Sequence, residues 1–194
     1  ALKKVNKKVF KYNKTTDIYK NREDNGYTIG AAVFALIIIK ENILTYAVLD
    51  DCYFSIFSND LVDHPTLKSY IDKTYAYVEP KYDMSKLENK KIWRKKYRNN
   101  IVKVDGKKLG YGAIDGSNGF EQFVQYGQEE LKDGDLVCLY TDGFMKTMKD
   151  LDFIKKIKES DFDDNLKSYI SEYTKDKGIA KEKSCFFVRY SNDN

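Results

Sequence analysis

Leu131 to Phe144 reads LKDGDLVCLYTDGF, and its punctuation sets the reading of the whole chain. Asp133-Gly134 is a turn pair, Leu136 to Tyr140 is a short unbroken apolar run, and Asp142-Gly143 follows at once. The pattern is turn, buried strand and acidic exit. A run of this kind needs both faces covered, so the Asp142 carboxylate leaves the core at a strand end, where a site can be held rigidly. An Asp-Gly pair taken alone is most often only a turn.

Upstream, Ala31 to Ile39, Ile43 to Val48 and Cys52 to Phe57 are apolar runs separated by Glu41-Asn42 and Asp50-Asp51. Three strands joined by short polar turns predict a meander, with the first, nearly all apolar strand central in its sheet. Downstream, Leu151 to Lys158 and Asp163 to Tyr173 have helical periods, and Cys185 to Tyr190 (CFFVRY) is a last strand. Asp161, Asp163 and Asp164 fall where a helix N-terminus welcomes negative charge, and capping is favoured for them over metal binding. At the front, Leu2, Val5, Val9 and Tyr12 recur among lysines, which predicts an amphipathic helix from Leu2 to Lys11. Lys14 to Tyr27 reads as loop, and His64 to Lys91 as loops with a short helix. Strands, then helices, then a strand predict an α+β sandwich rather than a parallel α/β sheet.

The chain has 194 residues, 42% hydrophobic and 33% charged, with 16 tyrosines and 11 phenylalanines, which places it among globular proteins and predicts one domain over residues 1–194. The longest apolar run, Ala31 to Ile39, is too short to span a bilayer and follows no signal-like segment, so a cytoplasmic protein is expected. Cys52, Cys138 and Cys185 each sit in an apolar run with no CxxC pair, and are expected to be buried, unpaired thiols. One histidine, His64, is too few for the usual zinc site or serine triad.

A net charge of +4 does not by itself argue for nucleic acid. Lys90 to Asn100 (KKIWRKKYRNN) sets six basic residues around Trp93 and Tyr97. Such interleaving can bind nucleic acid, but a solvated face with Trp93 packed inward is the favoured reading, and a nucleic-acid module ranks last. Lys107 to Gly119 (KKLGYGAIDGSNG) is glycine-rich without GxGxxG or GK[ST], so it is not a nucleotide loop. Phe120, Phe123 and Val124 predict a short helix leading to Gly127.

Taken in order, GAAVFALIII with AVLDDCYFSI, then LGYGAIDG, LKDGDLVCLYTDGF and KSCFFVRY resemble the metal-dependent Ser/Thr protein phosphatases of the PPM (PP2C-like) family. The likeness runs over roughly residues 28 to 190 and implies a PPM-type β-sandwich flanked by helices (αββα), partial at the N-terminus. It also implies hydrolysis of phosphoserine or phosphothreonine by water bound between two Mn or Mg ions, which lower the pKa of that water and neutralise phosphoryl charge. On the family pattern the metal ligands are Asp142, from the SDG motif, and Asp50, from the hairpin, with Asp51 as its neighbouring alternative. Two further ligand positions fall on Lys146 and Lys183, with Glu182 beside the latter as a replacement. A lysine at a metal position repels the ion it should bind. The family's first Asp-Gly pair, and the histidine and arginine before it, are expected to lie in a region upstream of Ala1.

Two functions of different class follow. One is metal-dependent hydrolysis, with Asp142, Asp50 and Glu182 as ligands. The other is a pseudophosphatase that keeps the sandwich as a protein-interaction module. The expected partner is a phosphoprotein or a regulatory protein, not a membrane.

Overall fold

The computed structural model describes residues 1–15, 31–59, 63–64, 67, 69–175 and 183–192, excepting the side chains of Asp63 and His64. Its helices are α1 (Leu2–Thr15), α2 (Tyr70–Val78), α3 (Leu87–Tyr97), α4 (Leu151–Glu159) and α5 (Asp164–Lys175). Its strands are β1 (Phe34–Lys40), β2 (Ile43–Leu49), β3 (Cys52–Phe57), β4 (Asp63–His64), β5 (Val102–Val104), β6 (Lys107–Leu109), β7 (Val124–Glu130), β8 (Leu136–Thr141) and β9 (Cys185–Arg189). The chain divides into two compact units. One comprises Ala1–Phe34, Leu49–Asp51 and Lys68–Gln125, the other Ala35–Val48, Cys52–Leu67 and Tyr126–Asn194.

The second unit is a β-sandwich with helices on one sheet. One sheet has the order β1-β2-β7, the other β4-β3-β8-β9. In β8 the two-residue period of a strand sends successive side chains to opposite faces. Val137 and Leu139 meet Leu44, Val48, Phe54 and Ile56 between the sheets. Leu136, Cys138 and Tyr140 face the other way, onto Phe144, Phe153, Ile154 and Ile157. The predicted strand is therefore covered on both faces. β8 pairs antiparallel with β3 and β9, with Tyr53 opposite Tyr140 and Tyr140 opposite Cys185. α4 buries Phe153, Ile154 and Ile157, its N-cap Asp150 accepting from the Asp152 and Phe153 amides. α5 starts where expected, with Asp163 Oδ1 accepting from the Leu166 amide at 3.0 Å.

Several elements differ from what the sequence predicts. Ala31 to Ile39 does contain a strand, but among the described residues β1 lies at the edge of its sheet, with Leu36 48% and Ile38 61% exposed. An apolar run reports the wish to be covered and not the cover. The three early strands do not form one meander, because the chain leaves β2 for the opposite sheet at Asp50, where φ is +39°. β7 stands where only a helix leading to Gly127 was expected: that helix is the single 3-10 turn Phe120–Phe123. VQYGQEE has little apolar content to announce a strand, and backbone pairing makes it one. Cys138 is buried, but Cys52 and Cys185 are only partly so, at strand ends; none of the three is in a disulfide, and burial pushes Cys185 up to about 11. His64 belongs to the short strand β4, opposite Ile56. Most of the loop expected over Lys14 to Tyr27 lies outside the described residues.

The first unit gathers α1, α2, α3, the β5–β6 hairpin and residues 110–123. Trp93 and Tyr97 of α3 turn inward, 7% and 3% exposed, onto Val78, Leu109 and Tyr111. Trp93 stacks on Tyr111 at 4.7 Å between ring centres. α1 is helical as expected, but its buried stripe differs. Val5 and Tyr12 are exposed, whereas Asn6 and Asn13 are buried. Asn6 donates to the Ser117 carbonyl and accepts from the Gly116 amide, both at 2.8 Å, and Asn13 donates to the Asp115 carbonyl at 2.9 Å. Those side chains satisfy backbone groups that a leucine would leave orphaned.

Candidate functional site

Two aspartates singled out by the sequence sit in different units, in different chemical surroundings. Asp142 ends β8 and opens the 3-10 turn Asp142–Phe144. Phe144 and Met148 bury themselves against the α4 core, which fixes the turn beneath the carboxylate. The Asp142 side chain is exposed, and its Oδ1 accepts from the Gly143 amide at 2.8 Å. Beside it, the Thr141 amide donates to the Ser184 carbonyl and the Ser184 amide to Thr141 Oγ1, each at 3.0 Å. These bonds extend the β8–β9 ladder by one pair, so residues 142 and 183 follow from neighbouring chain ends. Lys183 donates from Nζ to the Thr174 carbonyl at 3.0 Å. Lys146 is exposed one turn beyond Asp142. Glu182 lies outside the described residues.

Asp50 is 3% exposed. The left-handed backbone at this position turns its carboxylate into the first unit. Oδ1 accepts from the Ile71 amide at 3.2 Å and Oδ2 accepts a short hydrogen bond from the Gly112 amide. Burial pushes its pKa up to about 6; the backbone donors pull the other way, and neighbouring Asp51 adds a smaller upward push. Gly112 is what lets the glycine-rich segment come this close. A Cβ there would stand 2.4 Å from Leu49 Cδ1 and 2.8 Å from Phe123 Cβ.

A second polar cluster, which the sequence reading did not single out, holds the same segment. Asn99, at φ +54°, donates from Nδ2 to the Ala113 carbonyl (2.8 Å), Asp115 Oδ1 (3.1 Å) and Ser117 Oγ (2.8 Å), and its Oδ1 accepts from the Ala113 amide. Arg98 reaches Asp115 Oδ2 at 3.6 Å, with the two side chains 15% and 5% exposed. The signal available in sequence was Asn99-Asn100 after a helical run, since Asn tolerates the left-handed conformation that ends a helix. With Asn6 and Asn13 these groups form a satisfied network, which fixes backbone geometry rather than presenting free donors.

A metal pair needs several carboxylate oxygens converging on one point. Among the described residues no group of three or more His, Cys, Asp or Glu side chains could hold an ion. The described carboxylates therefore do not compose a two-metal centre. Among the described residues no helix is long and apolar enough to cross a membrane.

No protein-family model matches the chain, and no curated protein matches it in sequence. Solved structures do. The match to the S. agalactiae serine/threonine phosphatase covers 98% of this chain and 67% of that one, at 14% identity and a TM-score of 0.62. PppA, a key regulatory component of T6SS in Pseudomonas aeruginosa, is matched over 97% of this chain and 67% of its own, at 13% identity and a TM-score of 0.55. The catalytic domain of the serine/threonine protein phosphatase PstP, in complex with two manganese ions, is matched over 89% and 64%, at 13% identity and a TM-score of 0.53. The chain thus has the α+β fold of PP2C-type (PPM) Ser/Thr phosphatases and spans about two thirds of the length of these structures. At such identities the likeness is one of fold.

Proposed function

We propose that this chain is a PP2C-like phosphatase scaffold that works by recognition of a phosphoprotein or regulatory protein partner rather than by hydrolysis. The observation that carries the reading is Asp50: both its oxygens are engaged by backbone amides inside a packed unit, so it acts as a structural pin. Among the described candidates that leaves Asp142 exposed and Asp51 half-buried, with lysines at two positions where the resemblance places acids. One exposed carboxylate and two ammonium groups disfavour a pair of divalent cations.

Metal-dependent hydrolysis is the second reading, with Mn or Mg held by Asp142, Asp50 and Glu182. What favours it is the Thr141–Ser184 pairing, which aligns the ends from which Asp142 and Lys183 depart. Calorimetric titration with MnCl2, alongside phosphate release from a phosphothreonine peptide, separates the two. Recognition predicts a dissociation constant of about 1 mM or weaker and no metal-dependent turnover. Micromolar binding lost in Asp142→Ala, together with turnover, would establish the hydrolytic reading instead.

A further inference from the structure

Positive charge in this protein is concentrated on two groups: α1, with six lysines and no acid, and the group that follows in the same unit. Residues 69–109, which form α2, α3 and the β5–β6 hairpin, hold ten lysines and two arginines against five acids, a net of +7. As the whole chain carries +4, all its other residues together carry −3. The elements of this group share one core: Trp93 and Tyr97 of α3, Val78 of α2, Leu109 of β6, and Val102 and Val104 of β5 pack together.

That packing decides which side chains face out. In the hairpin, Val102 lies opposite Leu109 and Lys103 opposite Lys108. With the valines and Leu109 on the core, the two lysines stand side by side on the outer face, both exposed. Like charges directly opposite in an antiparallel pair destabilise it. On α3, Lys90 with Arg94 and Lys91 with Lys95 are like-charged at i,i+4, again an unfavourable spacing. The helix dipole accounts for cations in the last turn of α3. It gives no reason for the hairpin pair. Among the described residues no carboxylate lies within ion-pair distance of Lys95, Lys103 or Lys108. Self-repulsion kept at two places on one small group marks a surface shaped for an anionic partner.

The neighbouring side chains indicate which anion. Trp93 and Tyr97 are turned inward, so the stacking platforms on which a single-stranded nucleic acid lays its bases are missing from α3. Lysine outnumbers arginine, and lysine lacks the planar fork that grips a phosphate with two bonds. Apolar side chains are exposed among the lysines instead: Ile92 is 51% exposed, with Lys95 and Lys96 on the same helical face, and Leu87 is 45% exposed. We infer that the surface of α3 and the β5–β6 hairpin binds an acidic polypeptide segment that carries apolar side chains among its acids. The inference does not depend on whether Asp142 holds a metal.

The test is fluorescence anisotropy in EDTA, which removes metal chemistry, with a fluorescein-labelled peptide of repeated Glu-Glu-Leu triplets as probe. Matched probes of glutamate alone and of duplex DNA run beside it. The expected result is binding of the triplet peptide that weakens by about tenfold between about 50 and about 200 mM salt. The Lys103→Glu/Lys108→Glu variant weakens it by about tenfold again, and Lys103→Gln/Lys108→Gln, which removes repulsion and is expected to fold at least as well, weakens it by a smaller factor. Ile92→Ser brings the triplet peptide down to the affinity of the glutamate probe. Binding left unchanged in the Gln variant overturns the inference, as does duplex DNA binding more tightly than the peptide, which would reassign the surface to nucleic acid. Loss of phosphatase-type metal binding has no bearing on any of these outcomes.

Discussion

Asp50 and Asp142 each leave the end of a strand on a tight turn, and side by side in sequence they look interchangeable as ligands. In the structure they are opposites. Asp142 is exposed, its turn anchored from below by Phe144 and Met148, and it spends one oxygen on its own neighbour's amide. Asp50 is buried, and its two oxygens receive the amides of Ile71 and Gly112, which are 21 and 62 residues away in sequence. A carboxylate's role follows from what reaches it. A side chain that terminates distant backbone donors is part of the fold, and one that faces solvent on a rigid turn is available for chemistry.

The largest effect expected from breaking this contrast is in Asp50→Ala. At pH 5 it strands two buried amides, and urea unfolding should show a loss of about 4 kcal/mol with an unchanged m-value, since each orphaned donor costs about 1–3 kcal/mol. An effect below about 1 kcal/mol would mean that Asp50 does not pin the unit.

The next effect is the pH dependence of that loss. The folded carboxyl titrates near pH 6, above its ordinary value of 3.8, so between these values the folded state binds more protons than the unfolded state. Its stabilisation is therefore full below about pH 4 and disappears as pH rises through 6. A shift of about 2 pH units corresponds to roughly 3 kcal/mol, and the gap between wild type and Asp50→Ala should narrow by that order from pH 4 to pH 7.5. A gap that widens with pH would overturn the assignment to burial.

A smaller effect sharpens the Asp142 side. Lys146→Asp with Lys183→Asp places acids where the family has ligands, and calorimetry should show Mn affinity rising by about tenfold or more, about 1.4 kcal/mol, in a manner abolished by Asp142→Ala. No gain would indicate that residues 142, 146 and 183 do not converge. The smallest effect is Asp142→Ala alone, expected to change unfolding stability by within about 0.5 kcal/mol, as exposed substitutions do.

Much of the sandwich was legible beforehand because its signals are local. The unbroken apolar run Leu136 to Tyr140, the turn at Asp133-Gly134 and the cap at Asp163 each depend on residues within a few positions of one another. β7 was not legible, because VQYGQEE owes its conformation to β2, far away in sequence. The inward turn of Asn6 and Asn13 was hidden for the same reason: their partners, Gly116, Ser117 and Asp115, lie over a hundred residues along. A hydrophobic stripe read by period alone puts Val5 and Tyr12 in the core, where the structure keeps them exposed.

The α+β class, the buried strand β8 with Asp142 at its exit, the helices α1, α4 and α5 and the inward side of Trp93 can be read from the residues alone, since period, turn residues and caps act over short range. That Asp50 is a buried pin rather than an open ligand, that β1 lies at a sheet edge among the described residues, and that lysines face one another across the β5–β6 hairpin emerge only in the folded chain. Those outcomes are set by which distant groups pack or pair with them, and burial and field strength exist only once the chain has closed on itself.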